Sequence, residues 1–159
     1  MKFIKKVISY LLLVLIFTNT IYAKDSIKVL ILNSWSPDHK WVQGEVKGIK
    51  DALRKRHKNI EFTTEYIDYP RIEGINKKKY MQAYHQFFNN KYLDKKVKFD
   101  LIFVTDDPAL DYILKYHDFY FPNTPVVFSG INNYSHEKMI GKKKLFFGVL
   151  ETVDYLVEW

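Results

Sequence analysis

The chain has 159 residues, with 25 Lys or Arg against 18 Asp or Glu and a formal charge of +7. It has no cysteine, which excludes disulfides, thiol catalysis, Cys-ligated zinc and a lipid-modified cysteine. Three of the lysines lie in Met1–Ala23, and without that segment the balance falls to 22 against 18, or +4.

At the N-terminus, Met1–Lys6 is a basic head, Val7–Phe17 (VISYLLLVLIF) an uncharged run, and Ala23 a small residue where a cut would fall. This is the pattern of a secretory signal peptide over residues 1–23. The run is too short to span a bilayer, which takes roughly 20 apolar residues. Ile21 departs from the small-x-small rule, so an uncleaved N-terminal anchor is the alternative. Residues 24–159 are expected to form one exported, periplasmic domain, without repeat, linker or second apolar segment. In an exported chain the clusters Arg54–His57, Lys77–Lys79 and Lys142–Lys144 read as solvated helix ends and turns, with no nucleic-acid partner.

Ile27–Leu32 (IKVLIL) is a β-branched run that fits a buried strand. From Trp41 the period becomes helical, with Val42, Val46, Ile49 and Leu53 on one face. Ile60–Tyr66 alternates as a second strand. Asn76 can cap a second helix whose inward side carries Tyr80, Tyr84, Phe87 and Lys91 or Tyr92. Leu101–Thr105 is the third strand. A third helix follows to about His117, with Leu110, Ile113 and Leu114 inward, Asp107 as its N-cap and Pro108 at its first position. Val126–Ser129 and Phe146–Leu150 give two more strands, and Ser135–Ile140 one or two helical turns closed by Gly141.

Strands alternating with helices predict an α/β fold: a Rossmann-like or flavodoxin-like three-layer sandwich around a five-stranded parallel sheet. Such sheets take ligands at the carboxyl ends of their strands, where strand order reverses. This selects three loops: NSWSPDHKW after strand one, TDDP after strand three and SGINN after strand four. Trp35 and Trp41 bracket the first and can wall a pocket, while Asn33, Ser34 and Asn132 offer hydrogen bonds. Asp106, not needed as a cap, is expected to face the crevice and accept from a ligand's hydroxyl or ammonium group.

Catalytic readings find less support. A phosphoryl acceptor at Asp106 needs magnesium held by acids at the end of strand one, where the chain reads Asn33-Ser34-Trp35. It also needs a lysine on strand five, where LFFGVLE has none. The histidines His39, His57, His85, His117 and His136 do not pair at helical metal spacing, so no metal site is expected. FSGIN is not a nucleophile elbow, and no glycine-rich phosphate loop precedes a helix. The expectation is a non-enzymatic binding lobe without cofactor. The alternatives are a flavodoxin-like enzyme or phosphoryl acceptor using Asp106, or a module that dimerises through its exposed cleft face.

Four segments, VLILNSWSPDHKWVQGEVKGIKDAL, EYIDYPRI, FDLIFVTDDPALDYILKYHDFYFPNTPVVFSGINNY and FFGVLETVD, together resemble the ABC-transporter substrate-binding-like proteins of the periplasmic binding protein type I fold. The resemblance is strongest to versions serving as extracytoplasmic sensor regions of histidine kinases and diguanylate cyclases, and it runs from about Ile27 to Asp154. It implies one lobe of a two-lobed protein that closes on a small molecule, with a membrane transporter or sensor kinase or cyclase as partner. It places the ligand-facing edge at Ser34, Trp35, Trp41, Asp68, Asp106, Asp107, Gly130, Ile131 and Asn132. The second lobe is not encoded before Trp159, which leads us to expect a truncated product.

Overall fold

A computed structural model describes residues 26–93, 97–142 and 144–148. The expected signal segment, the end of the fifth strand and the last residues lie outside them. Among the described residues no helix is long and apolar enough to cross a membrane.

Five strands form one sheet: β1 (Ile27–Asn33), β2 (Ile60–Tyr66), β3 (Leu101–Thr105), β4 (Val126–Ser129) and β5 (Phe146–Gly148). All neighbours pair parallel, in the order β2-β1-β3-β4-β5. Among the described residues three helices cover it: α1 (Lys40–Arg56), α2 (Lys77–Tyr92) and α3 (Asp106–Tyr120). The sheet is therefore the expected α/β three-layer arrangement. β1 shows why its sequence is a continuous apolar run. Val29 and Ile31 join Val42 and Val46 of α1 on one face, and Leu30 and Leu32 join the α2 and α3 core on the other. A strand covered on both sides has no solvent face to be polar.

The α2–α3 layer is an aromatic core. Phe88 packs with Tyr84, Tyr92, Tyr112, Tyr120 and Phe121 at centroid distances of 4.5–6.1 Å. The buried stripe of α2 is Tyr84, Phe88 and Tyr92, spaced four apart, whereas Phe87 is exposed. The expected inward Phe87 is thus replaced by Phe88, because steps of four keep a residue over the same core while Phe87 rotates away. Asn76 caps α2 as expected, its Oδ1 accepting from Lys79 N at 3.0 Å. Ser135 starts a short 3₁₀ turn, His136–Met139, and Gly141 follows with φ +82°.

α3 extends past the expected end at His117 to Tyr120. His117 is buried, and its Nε2 donates to the carbonyl of Thr124 at 2.7 Å, while Nδ1 lies 3.0 Å from Asp118 Oδ1. It fastens the helix end to the start of β4. At β5, a Cβ on Gly148 would stand 2.5 Å from the Phe128 ring, so the strand approaches β4 only because this residue has no side chain.

Candidate functional site

With every strand parallel, the carboxyl ends meet at one rim. β1 lies between β2 and β3, so successive connections leave it in opposite directions and the crevice falls at the ends of β1 and β3. Asn33, Ser34, Thr105 and Asp106 stand there, and Gly130 and Asn132 follow β4 beside them.

Ser34 is fully buried. Its hydroxyl donates to the carbonyl of Thr105 at 2.7 Å and accepts from Ala109 N at 2.9 Å. It thereby satisfies one of the backbone donors that every helix start leaves open. Asp107 does not cap its own helix, contrary to expectation. Its two carboxylate oxygens accept from Asn132 N at 3.1 Å and Asn133 N at 3.0 Å, tying the loop after β4 to α3. Pro108 falls third in α3 and not first. The physical reason is that Ser34 already serves the helix start, which frees Asp107 to hold a neighbouring loop. Behind them, Asn33 Nδ2 donates to the carbonyl of Glu65 at 3.0 Å, and Thr105 Oγ1 donates to Asn33 Oδ1 at 3.2 Å.

Asp106 occupies the break between β3 and α3 with φ +64°, a left-handed conformation that costs a residue with a Cβ about 1–2 kcal/mol. It is only 7% exposed, and its Oδ2 is buried without a hydrogen-bond partner. Burial pushes the Asp106 carboxyl above the usual carboxylate range. A hydrogen bond from Trp35 opposes this, the neighbouring Asp107 charge adds to it, and Arg71 and His39 pull the other way. Asp106 stands at the rim as expected, but buried, with its Oδ1 beside Gly130. Gly130 adopts φ +69°, and a Cβ there would lie 3.4 Å from both Asp106 Oδ1 and Glu45 Oε1. The missing side chain leaves the notch into which two carboxylates converge.

Trp35 is itself held from above. The Arg71 guanidinium stacks on its ring at 3.9 Å, and Tyr69 meets it edge-on at 6.3 Å. Asp68 is exposed at φ +51°, in the loop that continues from β2. That loop is pinned to the end of β1 by Tyr69 N, which donates to the carbonyl of Ser34 at 2.8 Å.

Two clefts open beside this rim. One of about 320 Å³ is lined by Trp35, His39, Asp68, Arg71, Ile75 and Tyr80 among others. The other, about 740 Å³, runs between α2 and α3 past Met81, His85, Asp107, Tyr112 and Tyr116. Tyr69 lines both. In the larger cleft His85 stacks on Tyr116 at 4.0 Å, and burial and Lys115 hold its imidazole below the usual histidine range.

Of the nine residues expected at the edge, Trp35, Asp106, Asp107, Gly130 and Asn132 come together, and Asp68 borders them. Ser34 is a buried brace, and Ile131 packs against the core. Trp41, 55% exposed in the first turn of α1, lines neither cleft. Glu45, Tyr69 and Arg71 were not foreseen. Glu45 follows Val42 by three positions and so shares the inward face of α1, and Arg71 stands in the same YIDYPRI segment as Asp68. Among the described residues no three His, Cys, Asp or Glu side chains are grouped to hold a metal ion. Comparison of the chain with protein-family models, curated proteins and solved structures finds no match.

Proposed function

We propose that this chain is an exported small-molecule-binding lobe, of the kind used in ABC-type solute-binding proteins or in the input regions of sensor kinases and diguanylate cyclases. One observation carries the reading: Asp106 is held in a left-handed conformation, nine-tenths buried, with a carboxylate oxygen that has no partner. Leaving such an acceptor unsatisfied costs about 1–3 kcal/mol. A guest that brings a hydroxyl or ammonium donor to Oδ2 recovers that cost. Strained backbone and unsatisfied polar groups collect where a protein is built to bind.

In this reading Asp107 and Gly130 shape the floor, and Trp35 with Arg71 forms a movable wall. Ligand stabilises a closed arrangement against a facing lobe, shifting an existing equilibrium. No covalent step is assigned to Asp106. Isothermal titration of the full chain against amino acids, simple amines and polyols tests the proposal. The expected result is a binder whose affinity falls at least tenfold in Asp106→Ala, since a lost charged hydrogen bond costs about 1.5–3 kcal/mol. A binder indifferent to that change overturns the role of Asp106.

A further inference from the structure

In a parallel α/β sandwich the helices run back against the strands, so the helix C-termini gather at the pole opposite the rim. At this pole α1 ends in Arg54, Lys55 and Arg56, followed by His57 and Lys58, all exposed, and Lys98 and Lys144 are exposed in the segments entering β3 and β5. Backbone bonds hold these segments together. Ile27 N donates to the carbonyl of Asn59 at 3.0 Å, and Val126 N donates to that of Leu145 at 2.7 Å. Acids share the region: Asp118 pairs with Lys142 and Asp51 with Lys47 at 2.6 Å, while Asp100 accepts from Lys28 N at 2.8 Å and Glu61 from Ser26, so the cations of the α1 end remain in excess.

Apolar groups share the pole. Phe119 is 59% exposed and Leu93 is 41% exposed, on the lips of a cleft of about 640 Å³ that also includes Val97, Phe99, Phe121 and Pro122. Exposed cations around protruding aromatic and aliphatic groups are what the interface of an anionic bilayer attracts. The chain also enters the fold here. Ile27 follows the uncharged Val7–Phe17 run by 10 residues, at most about 36 Å of extended backbone.

We propose that the pole formed by the α1 C-terminus and the Leu93–Phe119 cleft is a docking surface for anionic lipid headgroups, leaving the rim turned away from the membrane. This does not depend on what the rim binds. Flotation of the full chain with phosphatidylcholine vesicles, with and without phosphatidylglycerol, tests it. Each Lys or Arg near such a surface contributes about fivefold, so Lys55→Gln/Arg56→Gln/Lys58→Gln is expected to lower partitioning onto anionic vesicles roughly 100-fold. Lys77→Gln/Lys78→Gln/Lys79→Gln removes the same charge at the α2 N-terminus, on the rim side, and is expected to change it little. The segment containing Lys2, Lys5 and Lys6 is common to all variants and cancels. Equal losses in the two triples, or no loss in the first, overturn the proposal.

A second readout does not depend on affinity. The chain has no cysteine, so a polarity-sensitive dye can be placed on Phe119→Cys or Asn132→Cys alone. Anionic vesicles are expected to shift the emission of the first to the blue and leave the second unmoved. The reverse pattern contradicts the orientation. Binding of duplex DNA in preference to vesicles, abolished by the first triple, would transfer the pole to a nucleic acid and refute a lipid surface.

Discussion

Replacing Asp106 by Asn should make the protein more stable, and only above acidic pH. The Asn side chain has nearly the shape of a protonated carboxyl, tolerates φ +64°, and can still accept the Trp35 hydrogen bond. The carboxylate, by contrast, is buried with one oxygen unpartnered and its pKa is raised by that burial. A raised folded-state pKa means that the native state binds the proton more tightly than the unfolded chain does. The group's contribution to stability is therefore greatest at low pH. It is lost as pH climbs from the unfolded value, about 3.9, through the raised native one. The cost of an orphaned buried acceptor leads us to expect about 1–2 kcal/mol in favour of Asp106→Asn at neutral pH. For a domain of this size that is a rise of roughly 5 °C in Tm. Urea denaturation of both proteins, followed by far-ultraviolet circular dichroism from pH 3.5 to 7.5 (about 4 units), gives the difference directly. It should be near zero at the acidic end and reach its plateau near neutrality. A variant less stable at neutral pH, or an advantage independent of pH, would show that Asp106 is fully satisfied in the native protein.

Ser34→Ala removes a buried hydroxyl that bonds Thr105 O and Ala109 N, and should cost about 2–3 kcal/mol, read as a lower urea midpoint with unchanged slope. Asp107→Ala should cost only about 1 kcal/mol, because the pair it holds is exposed, yet amide exchange at Asn132 and Asn133 should quicken about tenfold or more. Gly148→Ala drives a Cβ into the Phe128 ring and should destabilise by about 1–3 kcal/mol in thermal melts, with the ring displaced in the variant's structure.

The architecture was legible because its signals are local. Leu30, Ile31 and Leu32 advertise a strand covered on both faces, Asn76 stands where a cap must stand, and parallel order then brings the three polar loops to one end. What escaped is non-local. Ser34 caps Ala109 across 75 positions, so nothing near Asp107 in the sequence reveals that its expected duty is already taken. The left-handed turn at Asp106 has the same origin, since it is imposed by how β3 meets α3 and not by a glycine. Phe87 and Phe88 are adjacent and equally apolar, and only the position of Tyr112 and Phe121 on α3 and beyond decides which ring turns inward. Glu45 was hidden because a carboxylate on an inward helical stripe reads as a surface residue until Gly130 is seen opposite it.

The sharpest test is where a guest lands. An isotope-labelled full chain, titrated with whichever amine, amino acid or polyol it binds, should show its largest amide shifts at Trp35, Asp106, Asp107, Gly130 and Asn132. Those shifts should vanish in Asp106→Ala. A tight binder that moves amides only between α2 and α3, or at the far pole, and keeps its affinity without the Asp106 carboxylate, would mean that the rim is scaffolding and the site lies elsewhere.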